Sequence, residues 1–195
     1  LLLVRADAPY KTYGELVAHA KANPGKLNYG SSGIGSVPHL AVVALAKAAN
    51  IDVFHVPHKG EADALASILG GHITMFVSHP TFMTAHADKI RALFVLAPNR
   101  LPDHPNVPTI VEQGGPALSF EVWGGLAVPK GTPAPVLAAL ENACKVATSS
   151  EAFTKQMQTL QTPVKYLDGK SFASFVAAEF ERNGRLLRES GIPKE

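Results

Sequence analysis

The chain has 195 residues, 46% of them hydrophobic and 17% charged, with a formal net charge of +2 at pH 7. That length holds one substantial core or two small ones, and its lysines and arginines are scattered with no basic run, which excludes a nucleic-acid-binding patch. A single cysteine, Cys144, excludes an internal disulfide and, in its apolar helical stretch, reads as a small core residue; no stretch approaches the ~20 apolar residues of a membrane span.

The chain opens on Leu1-Leu2-Leu3-Val4, without methionine and inside a predicted strand. The expectation is a piece of a longer protein whose export signal lies upstream. Thr12-x-x-Glu15 is a capping box that opens a helix ending near Asn23-Pro24. A strand near Leu27–Gly30 and a helix from about Val37 to Ala49 follow. Next come a strand at Val53–Val56, a helix at Glu61–Leu69 stopped by Gly70-Gly71, a strand at Ile73–Val77, a short helix near Thr81–Asp88 and a strand at Ile90–Leu96. This β-α-β-α-β-α-β alternation predicts a parallel sheet with helices on its faces.

A Pro-rich passage, Pro98 to Pro108, leaves that unit, and Thr109-x-x-Glu112 is expected to cap a short helix that stops at Gly114-Gly115. Phe120–Val128 reads as extended. The remainder is mainly helical, with helices opened by Thr132-Pro133, by Ser149 or Ser150, and by Asp168, the last running towards Gly191. Its one predicted strand is Val164–Leu167. Helices with so few strands to cover look like part of a second lobe.

Chemistry is expected at the carboxyl ends of the strands, where open α/β sheets bind ligands. That rule collects Ser31–Ser36, Pro57–Gly60 and Ser78–Pro80. The first loop runs Gly30-Ser31-Ser32-Gly33-Ile34-Gly35-Ser36 into a helix with Pro38 in its first turn and Gly35 or Ser36 as its cap. Its glycines permit tight turns, and the helix start offers unpaired N–H groups and a positive dipole end, a seat for carboxylate or phosphate. It matches neither a Walker loop, nor the dinucleotide fingerprint, nor a nucleophile elbow. On the loop alone two readings stay open, an anion seat and a plain strand-to-helix connection. The three loops hold no Asp or Glu; Lys59, His58 and His79 lie on them and His39 one helical turn beyond, so they should attract an anion unless those side chains merely project into water. The histidine spacings form no metal set, and Ser31 or Ser36 with His39 lacks an orienting carboxylate for a triad. Trp123 either fills a core or offers a rigid surface to an organic ligand.

Leu27-Asn28-Tyr29-Gly30-Ser31 through His39-Leu40-Ala41 is similar to a segment of the solute-binding receptors of tripartite tricarboxylate transporters, the Bug-type proteins. His55-Val56-Pro57-His58-Lys59-Gly60, Leu69-Gly70-Gly71-His72-Ile73, Arg91-Ala92-Leu93, Val107-Pro108-Thr109 and Pro129-Lys130-Gly131-Thr132-Pro133 resemble further family motifs in the same order. The resemblance implies an α/β, two-lobed fold of the type II periplasmic-binding-protein kind that lacks the N-terminal part of lobe one. Residues 1–124 would be mostly lobe two, and 125–195 the mainly helical C-terminal part of lobe one. It further implies a periplasmic receptor that captures a mono- or dicarboxylic acid and passes it to membrane subunits, with no catalysis, cofactor or metal. The ligand-binding residues expected are Ser31, Ser32, Gly33, Gly35, Ser36, His39, His58, Lys59, Ser78, His79 and Trp123. The family usually carries Asp where this chain has Thr74, often Asp in place of Ser78, and Tyr in place of His58. The loss of two acids from a strand leading into the cleft suits a more anionic ligand. Two other classes remain: the effector-sensing domain of a regulator, and an enzyme acting on an acyl or phosphorylated substrate.

Overall fold

Five strands form one sheet: β1 (Leu2–Arg5), β2 (Asn28–Ser31), β3 (Phe54–Pro57), β4 (Met75–Val77) and β5 (Ile90–Phe94), in the spatial order β3-β2-β4-β1-β5. The computed structural model describes residues 1–189. The chain divides into two compact units: a sheet unit, Leu1–Glu121 with the chain from Arg185 onward, and a helical unit, Val122–Gly184.

In the sheet unit, β2 pairs in parallel with both β3 and β4, as the alternating pattern predicts. The wholly parallel sheet is corrected at β1, which is inserted antiparallel to both β4 and β5. The sheet is therefore mixed, although β2, β3, β4 and β5 all point the same way. Leu2, Leu3 and Val4 are completely buried, so β1 has no solvent-facing side, as befits an interior strand covered on both faces.

Helices α1 (Tyr13–Ala22) and α2 (Val37–Ala49) supply Leu16, Ala41 and Leu45 to one face, where they meet Leu2, Tyr29 and Met75. On the other, α3 (Glu61–Leu69) supplies Ala64 and Ile68 against Leu3, Ile73 and Phe76, and α4 (Pro80–Ala85) adds Phe82 and Met83 at the margin. Thr12 caps α1 as predicted, its Oγ1 accepting from the Glu15 N–H, but Glu15 Oε2 accepts from the N–H of Lys11, one residue before the cap. Thr109 and Glu112 make reciprocal bonds, the Thr109 N–H to Glu112 Oε2 at 2.7 Å and the Glu112 N–H to Thr109 Oγ1 at 3.2 Å. The expected helix there is corrected to a turn: the Gln113 and Gly114 N–H groups bond only three residues back, to the Ile110 and Val111 carbonyls, and Gly114 at φ +77° ends the turn.

The helical unit contains α5 (Ala134–Thr148), α6 (Glu151–Thr159) and most of α7 (Gly169–Glu189). Ser150 caps α6 by accepting from the Phe153 N–H, and Asp168 accepts from the Ser171 N–H at the start of α7. The expected end near Gly191 lies outside the described residues. Val164–Leu167 is not a strand, since no neighbouring strand is there to pair with it. Phe120–Val128 carries no regular structure beyond the Phe120 N–H bond to the Leu96 carbonyl.

Candidate functional site

Because β3, β2 and β4 are adjacent and parallel, the chain leaves all three at the same edge of the sheet. Residues 32–36, His58–Gly60 and Ser78–His79 therefore share one rim, about 4.8 Å from strand to strand. Gly30 lies just below it. A Cβ there would run into Ile73 Cδ1 and meet the His58 ring only at ordinary contact distance, so the missing side chain is what makes room for Ile73 under the rim.

The central loop is held largely by its own hydrogen bonds. Ser31 is fully buried, and its hydroxyl donates to the Gly33 carbonyl at 2.9 Å, accepts from the Gly33 N–H and meets His55 Nε2 at 2.7 Å. With its one proton on Gly33, the hydroxyl accepts from His55, which fixes His55 as the Nε2–H tautomer. Gly33 and Gly35 take φ of +129° and +77°, conformations that other residues rarely adopt. Ser36 precedes α2 as expected, but its hydroxyl donates back to the Gly33 carbonyl at 2.7 Å and caps no N–H of the helix. The Gly35 N–H is taken by His39 Nδ1 at 2.9 Å. Among the described residues, the N–H groups of Ser32, Ile34, Val37 and His39 have no partner, and Ser32 makes no hydrogen bond at all.

His39 is itself buried behind the loop. Its ring stacks on His55 with centroids 3.9 Å apart and planes 10° apart, and Tyr29 lies beside the pair, 4.9 Å from His55 and 6.1 Å from His39. Burial lowers the pKa of both histidines; His55, with His39 and His58 nearby, falls to about 4. His55 is a residue that sequence reasoning weighed only as a metal ligand. The pairing of Tyr29 opposite His55 in parallel strands was the signal that could have placed it under the loop.

The two flanking loops each carry a buried polar atom without a hydrogen-bond partner, His58 Nδ1 and Ser78 Oγ. Buried polar groups are nearly always paired, so each such atom calls for an explanation. Lys59 is exposed and forms no ion pair among the described residues. His79 Nε2 lies 3.2 Å from Glu61 Oε2, and that bond raises the pKa of His79. The three loops contain no acid, but the fold brings the Glu61 carboxylate to one of their histidines from the first turn of α3. Trp123 lies in the helical unit, 44% exposed, with its ring edge-on to Phe172 and Phe175.

Thr74 is not on the rim. It precedes β4 at the opposite edge, where its hydroxyl and N–H bond to Asn28 at the entry to β2. Four residues of extended chain, about 13 Å, separate it from Ser78. The expectation that a missing acid at Thr74 alters the cleft is corrected by this topology. No group of three His, Cys, Asp or Glu residues able to hold a metal occurs among the described residues. Ser31 has no exposed surface from which to act as a nucleophile.

In its fold, the chain with its mixed α/β sheet is similar to solved periplasmic binding proteins, BugD among them at a TM-score of 0.83 and 26% identity. It belongs to the tripartite tricarboxylate transporter receptor family, whose sequence model, described as "Tripartite tricarboxylate transporter family receptor", matches residues 1–192. A Cupriavidus necator protein of the UPF0065 group is 31% identical over 99% of this chain. Protein BugT of Bordetella pertussis is 27% identical over 90% of it. The chain spans 59% of the length of the first and 55% of the second. Among solved structures, an R. palustris protein with adipate is similar at a TM-score of 0.85 and 25% identity, covering 98% of this chain and 64% of the other. MatC from Rhodopseudomonas palustris with bound malate gives 0.82 and 26%, covering 96% and 65%.

Proposed function

We propose that this protein is the extracytoplasmic receptor of a tripartite transporter, and that the rim after β2, β3 and β4 captures a small mono- or dicarboxylic acid for membrane subunits. The observation that carries the site is the pair of buried, unpartnered polar atoms, His58 Nδ1 and Ser78 Oγ, on the two loops that flank the glycine-rich turn. A carboxylate has lone pairs enough to accept from several donors at once. The unpaired N–H groups of Ser32 and Ile34 and the positive end of α2 offer such donors, and Lys59 adds charge. Adipate and malate in the related structures support that ligand class. In this reading residues 1–124 are mostly lobe two and 125–195 belong to lobe one, in the periplasm. The break between Glu121 and Val122 supports the first boundary, although the chain from Arg185 groups with the sheet unit.

Calorimetry with adipate, malate and their diamides tests the assignment. At least one acid should bind about tenfold or more tightly than its diamide, a difference of ~1.4 kcal/mol, because an amide is a weaker acceptor and brings donors of its own. The bound acid should be recovered unchanged. Ser32→Asp should weaken binding by a similar factor. It is a cleaner probe than Ser36→Asp, which would also remove the hydroxyl bond to Gly33. Equal affinity for acid and diamide, or an unaffected Ser32→Asp variant, would remove the loop from the carboxylate site.

A further inference from the structure

We propose that the stacked imidazoles of His39 and His55 are positioning residues that hold the glycine-rich loop in its ligand-ready shape, and that the His39 brace holds only while that ring is neutral, so that acid loosens the receptor's grip; this rests on the carboxylate reading above. The geometry is specific. His39 Nδ1 accepts the Gly35 N–H at 2.9 Å, which demands a bare nitrogen lone pair. Protonation would set an N–H against an N–H, and the bond holding Gly35 at its left-handed φ would be lost. On the other side of the stack, His55 donates to the Ser31 hydroxyl, which in turn anchors both the N–H and the carbonyl of Gly33. Two nearly parallel rings 3.9 Å apart cannot both carry charge cheaply. Between them the two imidazoles brace the loop at both of its left-handed glycines, from behind and without facing the rim.

The surroundings reinforce the neutral state. From β2, Tyr29 stacks on His55, and its phenol stays neutral because burial raises its pKa. From the turn after β3, His58 disfavours a charge on His55. After α2, Asp52 lines the same groove as the two histidines and is the one carboxylate there that favours protonation. Further along α2, Lys47 is paired with Glu189 of α7. Burial lowers the pKa of both histidines.

Two measurements on the full chain test this. The first needs no ligand. In NMR titrations the Gly35 amide should be protected from exchange at neutral pH, and should lose that protection with the same midpoint as His39 protonation. An amide indifferent to that titration would overturn the proposal. The second uses adipate. Wild-type affinity should fall between neutral pH and about pH 4 more steeply than that of His39→Asn, whose amide oxygen can accept from Gly35 but cannot titrate. Adipate protonation affects both proteins equally, so identical pH profiles would refute the role. His39→Leu, which leaves the Gly35 N–H without an acceptor, should lose about tenfold in affinity at neutral pH while unfolding at a temperature close to that of His39→Asn. If neither adipate nor malate binds while the Gly35 amide still follows His39, the carboxylate reading fails and the loop-bracing role stands.

Discussion

The sheet unit and the helical unit have similar kinds of residues and opposite burial. In the sheet unit Leu2, Leu3, Leu16, Ile68, Phe76 and Phe94 are wholly inaccessible, and apolar side chains fill both faces of the sheet. In Val122–Gly184 the only buried residue is Glu179, which pairs with Arg182 at 2.7 Å. Val122, Leu126 and Phe180 are 66%, 68% and 74% exposed, apolar side chains left open to water. Apolar sequence does not by itself make a core. The sheet offers each helix a surface to cover, whereas α5 and α6 have no sheet beneath them within their own unit. Helix stability comes mostly from packing an amphipathic face, so the two units should differ widely in local stability.

Truncation mutants give the largest expected contrast. Phe76→Ala, in the sealed face under α3, should cost about 3–5 kcal/mol of stability. Phe180→Ala should stay within about 0.5 kcal/mol, because the ring is already in water. Urea denaturation of both variants checks this. A cost above about 1 kcal/mol at Phe180 would mean that its ring is covered in solution and would break the comparison.

Hydrogen exchange sharpens the contrast at smaller free energies. Amides of β1 and β4 should exchange only through global opening, and those of α6 through local fraying that leaves the sheet intact. Equal protection in the two units would show that the helical unit is stabilised by more than its own residues.

The smallest effect is in pH dependence. All eight histidines lie between His19 and His104, so every imidazole belongs to the sheet unit. Two sites there act with opposite sign. His55 falls from its ordinary 6.5 to about 4 on folding, so stability should decline as pH drops through that window, where the unfolded chain takes up more protons. His79 is raised by Glu61, so its contribution is complete below about 6.5 and is lost as pH rises through the higher folded value. That pair is partly exposed, and removing it by His79→Asn should cost less than about 1 kcal/mol in mild acid. Thermal melts across pH for wild type, His55→Asn and His79→Asn should separate the two slopes. Exchange in the helical unit should stay flat over the same range once corrected for the intrinsic rate.

Much of this was legible in the residues. Caps at Thr12 and Ser150, glycine stops, and apolar runs of strand length gave the elements, because those signals are local and act through backbone hydrogen bonds within a few residues. The common rim was legible too, since consecutive β-α units must return their strands in parallel. Where the reading failed, the deciding partner was distant. Val164–Leu167 had the look of a strand but no strand to pair with.

The sequence by itself determined that this chain makes α-β repeats, that a glycine-rich turn feeds a proline-started helix, and that serines, histidines and a lysine follow the strand ends. Only the tertiary structure decided which of them face one another. A strand apolar on both sides carries no mark of its direction, so the antiparallel insertion of β1 was invisible. Pairing register sent Thr74 to the far edge and set His55 beneath Ser31. Packing turned His39 into a buried acceptor and drew Glu61 to His79. The pairings of Thr74, His55 and Glu61 join residues many positions apart, and a hydrogen bond of that kind leaves no trace in the local pattern of either segment.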